Sequence, residues 1–247
     1  MRGKNENGEF QSPFNPFKWG DAFTEGNSWH YSWSVFHDVQ GLVDLMGGKD
    51  KFVKKLDSVF SMPPIFDESV YGGVIHEIRE MQIADMGQYA HGNQPIQHMI
   101  YLYNYSGQPW KSQAKAREVM ENMYSSTENG YPGDEDQGQT SSWYVLSAMG
   151  FYSVCPGTNE YVLGSPVFEK MTISLENGNK FIIKADGNNK SNVYIDEVFL
   201  NGEEYTKDYI TYQDIMKGGE FNLKMSAEPN KQRGIEEKDE PFSLTRK

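Results

Sequence analysis

Three acidic side chains stand in succession at Asp134-Glu135-Asp136, between Gly133 and Gly138. Like charges in a tight turn raise one another's pKa unless a cation or hydrogen-bond donors intervene. Such a turn suits a hard cation, which takes oxygen ligands from carboxylates, amides and carbonyls, together with a carboxylate base. The plain alternative is a solvated acidic turn at the start of a helix, where negative charge is favourable. Tyr131 and Trp143 flank the turn and favour the chemical reading, because a solvated turn has no need of rings.

A second polar segment, Tyr89-Ala-His91-Gly-Asn93-Gln94-Pro95, leads into a helix. Asn93 and Gln94 offer neutral amide oxygens of the kind calcium accepts. Alternatively, Asn93 is an ordinary helix cap. The third segment sets Glu25 in a Gly-Asn loop beside Trp29, His30, Tyr31 and Trp33. A carboxyl held among rings loses water and its pKa rises, as a general acid working near neutral pH requires. The other reading is a surface glutamate whose neighbours pack elsewhere. The histidines show no metal spacing: His76-Glu77 is not part of HExxH, and His30 and His37 are too far apart for one helical turn. GxSxG, P-loop and GxGxxG patterns are absent, so serine nucleophiles and nucleotide binding have no support.

Acidic residues outnumber basic ones 35 to 23, which argues against nucleic acid and against anionic lipid. The balance fits a neutral substrate or a metal cation. Aromatics at 14% suit either an ordinary core or a sugar-binding cleft. The single cysteine, Cys155, rules out a disulfide framework and a Cys-rich zinc site. The opening MRGKNENGEF has no signal-peptide apolar core and no later stretch is long enough to span a membrane, so an export signal would lie upstream.

These segments need elements to hold them. Residues 1–20 read as an irregular lead-in. Phe52, Val53, Leu56, Val59 and Phe60 share one helical face, with Gly47-Gly48 before them and Pro63-Pro64 after. Further helices are expected over 95–105, from Pro109 with a stripe at Ala116, Val119, Met120, Met123 and Tyr124, and over 140–149 up to Gly150. Beyond Pro156 the pattern turns to strands over 170–175, 180–184, 193–200 and 220–225, with hairpin signals at Asn177-Gly178 and Asn201-Gly202. The layout is α+β: a helical region over 1–155 of five to seven helices, then four to six antiparallel strands over 156–247, with a frayed, charged end from Asn230.

Taken together and in order, EGNSWHYSW, HDVQGLVDLMGG, YAHGNQP, LYNYSGQPWKSQ, GDEDQGQTSSWYVLSAMGFYSVCPG and EYVLGSPVFEKMTI closely resemble family 92 glycoside hydrolases, over roughly residues 13–185. The resemblance implies calcium-dependent removal of terminal α-linked mannose from glycans, α-1,2-mannosidase-like, with inversion. It implies an N-terminal β-sandwich and a C-terminal (α/α)6 barrel with the site between them. By motif, Glu25 is the expected general acid and Asp134 and Asp136 the expected base. Asn93, Gln94 and Asp136 are expected to hold calcium, His76 and Glu77 to meet the sugar, and Trp29 to line the cleft. The β-sandwich and the first barrel helices are not in this chain, which matches the C-terminal half of the barrel. Little or no activity is therefore expected of it alone. An exported bacterial enzyme, periplasmic, secreted or surface-held, is implied. The alternatives are another inverting glycosidase, a non-catalytic carbohydrate-binding module and a calcium-stabilised structural domain.

Overall fold

In a computed structural model, which describes residues 1–246, the helical stripes fall where the periodicity places them. The helices are α1 (Ser28–Tyr31), α2 (Val39–Leu45), α3 (Lys49–Ser61), α4 (His76–Ala84), α5 (Pro109–Met123), α6 (Gln139–Met149) and α7 (Tyr212–Lys217). In α3, Phe52, Val53, Leu56 and Val59 are buried. Pro109 opens α5, where a missing amide hydrogen costs nothing. Gly150 ends α6 at φ 97°, in the left-handed region that glycine enters freely.

The helix expected over 95–105 is instead two 3₁₀ segments, Gln94–Ile96 and Met99–Tyr105. Every residue of the second is buried, so this strand of backbone lacks the polar face an α-helical reading would need. The Asn104 amide donates to the Tyr101 carbonyl at 2.9 Å and to the Leu163 carbonyl at 3.2 Å. That side chain takes up a carbonyl of the preceding turn and ties it to the β region, which favours the tighter winding.

Strands β1 (Phe151–Tyr152), β2 (Glu160–Leu163) and β7 (Tyr209–Thr211) form one sheet. β3 (Lys170–Ser174), β4 (Lys180–Asp186), β8 (Gly219–Ser226), β5 (Tyr194–Leu200) and β6 (Glu203–Glu204) form another, in the order β3-β4-β8-β5-β6. The expected antiparallel pattern holds except at its centre: β8 runs parallel to β4. The chain between them, carrying β5, β6, β7 and α7, is long enough for the crossover a parallel pair requires. Asn201 (φ 54°) and Gly202 (φ 86°) make the two-residue β5–β6 turn. A bulge between Ile195 and Glu197 shifts the side-chain alternation by one, so that Val198 rather than Glu197 enters the core.

Two apolar clusters result. One gathers Trp33, Phe52, Tyr101, Tyr103 and Trp143 among the helices. The other gathers Phe181, Ile183, Ile195, Val198, Phe221 and Leu223 on the larger sheet. α5 bridges them. Its buried Arg117 donates to the Pro166 carbonyl at 3.0 Å and to Asn188 Oδ1 at 2.7 Å, and its Gln113 Oε1 accepts from the Ile195 amide at 3.0 Å.

The end of the chain is not frayed. Asp38, which caps α2 through the Gly41 amide, also accepts from Ser243 Oγ at 2.7 Å and from the Thr245 amide at 2.9 Å. Glu240 meets Lys49 at 2.5 Å and also Arg246, which donates to Gln40 at 2.6 Å. Glu240 and Arg246 thus find partners on the helical region, Arg233 pairs with Asp208 in the β region, and Ser243 is fully buried.

Candidate active site

The loop bearing Glu25 is closed by the Gly20 amide donating to the Gly26 carbonyl at 2.9 Å. Asn27, fully buried, anchors it by capping α1 and donating to Gln88 Oε1 at 3.1 Å. Glu25 itself is exposed, at φ 47°. Of the rings expected around its carboxyl, two are turned elsewhere: Trp33 packs edge-on to Phe52, and His30 on Trp19. Trp29 stacks on Phe17 at 6.4 Å and lines a separate depression with Met1, Phe14 and Lys55. Its indole nitrogen is buried without a partner.

The acidic turn meets the Asn93–Gln94 segment through two glycines. A Cβ on Gly133 would lie 2.1 Å from the Gly92 carbonyl oxygen, and one on Gly92 would lie 2.2 Å from Glu80 Oε2. Only bare backbone permits this approach. With Gly133 also at φ 67°, Gly133→Ala is expected to cost about 3 kcal/mol, combining left-handed strain and overpacking. Gly178→Ala, at φ 85° with open space around it, is expected to cost about 1 kcal/mol. Urea midpoints of the two variants measure the difference.

Asn93 and Gln94 hold the two acid-bearing loops. The Asn93 amide nitrogen donates to the Glu25 carbonyl. The Gln94 amide nitrogen donates to the Asp134 carbonyl at 2.9 Å and to Thr140 Oγ1 at 3.2 Å. The two loops are therefore moored on one dipeptide.

His76, at the start of α4, closes the group. Its Nε2 lies 3.2 Å from Glu77 Oε1 and 3.6 Å from Asp134 Oδ2, and its Nδ1 lies 3.5 Å from Glu80 Oε1. Buried oxygens of Glu77 and Glu80 have no partner. Burial pushes the Glu80 carboxyl up, opposed by its contact with His76. Asp134 and Asp136 are exposed, and Asp136 sits at φ 46°. Behind the turn, Tyr89, His91 and Tyr124 form a buried hydrogen-bonded row, with His91 2.7 Å and 2.8 Å from the two hydroxyls. The Tyr124 hydroxyl reaches the Thr140 carbonyl at 3.3 Å.

The structure thus brings together Glu25, Asn93, Gln94, Asp134, His76 and Glu77. Asp136 follows Asp134 in the same turn, and Trp29 packs against a different neighbourhood. Glu80 escaped the sequence reading, although its i, i+4 spacing from His76 on a helix would have flagged it. Nothing in the sequence marks the Gly92–Gly133 contact. Among the described residues no three His, Cys, Asp or Glu side chains gather as a metal site. The donor chemistry still fits a hard cation: Asn93 and Gln94 spend their amide nitrogens on carbonyls, which leaves their oxygens as the groups to offer beside a carboxylate.

The Glu25 loop and the Asp134 turn are thus tied to two adjacent amides. A family model described as the glycosyl hydrolase family 92 catalytic domain matches residues 1–227, and the chain belongs to that family. It is 51% identical to a family 92 inverting mannosidase from Bacteroides thetaiotaomicron, with a TM-score of 0.87, over 99% of this chain and 33% of that one. A family 92 α-mannosidase of the same bacterium, solved with mannoimidazole, is 35% identical with a TM-score of 0.89, over 99% and 32%. An uncharacterized secreted glycosidase of Arthroderma benhamiae is 30% identical over 89% of this chain and 26% of its own length. The chain therefore spans about a third or less of these relatives. No helix among the described residues is long and apolar enough to cross a membrane.

Proposed function

We propose that this chain carries the C-terminal part of the active site of an exported, calcium-assisted, inverting exo-α-mannosidase that removes terminal α-linked mannose from glycans. The observation that carries the reading is the pair of adjacent amides, Asn93 and Gln94, tying the Glu25 loop and the Asp134 turn to one floor. Residues 1–155 supply the helical share, part of an (α/α)6 barrel, and 156–247 the β region that supports it. The exposed flanks of Glu25, Asp134 and His76 await walls from a preceding β-sandwich. The mannosidase neighbours, and the secreted one, support substrate and location.

Glu25 gives its proton to the glycosidic oxygen as the bond to the anomeric carbon breaks. Asp134 and Asp136 take a proton from a water that attacks the opposite face, giving β-mannose. Two carboxyls about 6.5–9.5 Å apart leave room for that water. His76 and Glu77 bind sugar hydroxyls. Asn93, Gln94 and Asp136 would hold calcium, which would coordinate sugar hydroxyls and help hold the ring in a flattened shape.

The test joins this chain to the other two thirds of the 51%-identical Bacteroides mannosidase and follows the sugar released from an α-mannobioside by NMR. The joined enzyme is expected to release β-mannose, to lose that activity with a calcium chelator and to regain it with calcium. The chain alone should release little or none. A folded joined enzyme that hydrolyses only other α-glycosides, or binds mannosides without cleaving them, would overturn the reading.

A further inference from the structure

Three consecutive carboxylates share one turn, yet their surroundings differ: Asp134 faces His76 and Asp136 is exposed. Glu135 is half-buried, and both its oxygens are committed to one residue of α6: Oε1 accepts from the Ser141 amide at 3.2 Å and Oε2 from the Ser141 hydroxyl at 2.5 Å. The helix needs this partner. Its own cap position is Gly138, which has no side chain to offer the first-turn amides. A carboxylate there also meets the positive end of the helix.

The backbone around Glu135 is held at several points. Its carbonyl accepts from the Thr140 amide at 3.3 Å, and the Asp136 carbonyl accepts from the Gln139 amide at 3.3 Å. The Asp134 carbonyl accepts from Thr140 Oγ1 at 2.8 Å. Between these anchors Asp136, Gln137 and Gly138 are all left-handed, at φ 46°, 59° and 91°. Non-glycine residues keep that conformation only where surrounding contacts enforce it.

From this geometry we infer that Glu135 is the positioning residue of the aspartate pair. By gripping Ser141 it turns itself out of the reaction and fixes the reversal that presents Asp134 and Asp136 together. It acts through those two side chains and does not touch substrate. The inference rests on the reading of Asp134 and Asp136 as the base.

The first test uses the chain itself. Glu135→Ala is expected to speed amide exchange at Ser141 and across 136–139 by about tenfold or more, the loss of one charged hydrogen bond. Glu135→Gln, which can still accept from the amide, should recover most of the protection. Unchanged exchange in Glu135→Ala would overturn the inference. In the joined enzyme, Glu135→Ala should lower kcat by about 10²-fold with KM little changed, the cost of a small misplacement. Added to Asp134→Asn it should cost nothing further, because the two changes remove one function. A plain helix cap would instead lower the melting temperature and multiply with Asp134→Asn, and that result would refute positioning. Full turnover by both Asp134→Asn and Asp136→Asn would remove the base reading, while exchange at Ser141 still reports the clamp. Should the joined enzyme be inert, the pattern of exchange decides: faster exchange at Ser141 with 136–139 unchanged would leave Glu135 a plain helix cap and refute positioning.

Discussion

Glu25→Gln in the joined enzyme is expected to lower kcat by about 10³-fold on a mannoside with a poor leaving group, the scale of lost general-acid catalysis. The loss should shrink sharply on an aryl mannoside whose leaving group departs without a proton. Steady-state kinetics on the two substrates gives the contrast. An equal loss on both would reassign Glu25 to binding or to loop structure, and undiminished turnover would remove it from the chemistry. Asp134→Asn should show no such contrast, because the attacking water must be activated whichever group leaves. The direction of the Glu25 side chain is set by a short list of contacts: a left-handed φ of 47°, the Gly20–Gly26 closure, and the Asn93 amide on its own carbonyl. Asn93→Asp should therefore resemble a weak Glu25 defect, by releasing the loop and adding a like charge beside it.

The helices and most strands were legible because one-dimensional patterns encode them. The α3 stripe, the proline opening α5, the glycine closing α6 and the Asn201-Gly202 turn are each settled by residues within a few positions of one another. What failed depends on partners distant in sequence. The Met99–Tyr105 segment winds tightly because Asn104 reaches across to Leu163. β8 lies parallel to β4 because of a crossover some thirty residues long, which no alternation records. The tail reads as frayed until Asp38, about two hundred residues earlier, is seen to accept its hydroxyls and amide.

The site was legible in the same uneven way. Residue types and order pointed to Glu25, Asn93, Gln94, Asp134 and His76, and these do come together. Rings adjacent in sequence need not be adjacent in space: Trp33 and His30 face inward from α1 and its exit, while Glu25 sits exposed on the loop outside. The separation of Glu135 from its two neighbours was equally hidden, since the sequence shows three equal acids and only the fold reveals which one the helix claims.

Acidification from pH 7 to pH 5 is expected to destabilise the chain by about 5 kcal/mol, through three buried histidines. Burial pulls His30 and His91 down to about 3 and His98 to about 4, the last two carbonyl contacts opposing it. Burial is the common cause, and the hydrogen bonds fix the tautomers of His30 and His91. His30 Nδ1 accepts from the Asn27 amide, so Nε2 carries the proton and donates to the Gln88 carbonyl at 2.9 Å. In the row through His91, Tyr124 donates to the Thr140 carbonyl, so it accepts from Nε2 and leaves Nδ1 to accept from Tyr89. A second proton would set two donors against each other at His30, where the partner is a backbone amide. The sign follows from proton counts. Below the ordinary histidine pKa of about 6.5 the unfolded chain binds protons that the folded chain refuses, so stability falls as pH falls. The loss continues until the folded values are reached, and is absent above about pH 7. For a chain of this length it corresponds to a drop of roughly 10–20 °C in melting temperature. His30→Gln should be less stable at pH 7 yet flatter between pH 7 and pH 5, by about a third of the slope. Melting curves across that interval decide it: a chain equally stable at both ends would mean the rings take up protons in place, and the neutral, bonded rows that brace the Asn27 and Thr140 sides of the site would have to be redrawn.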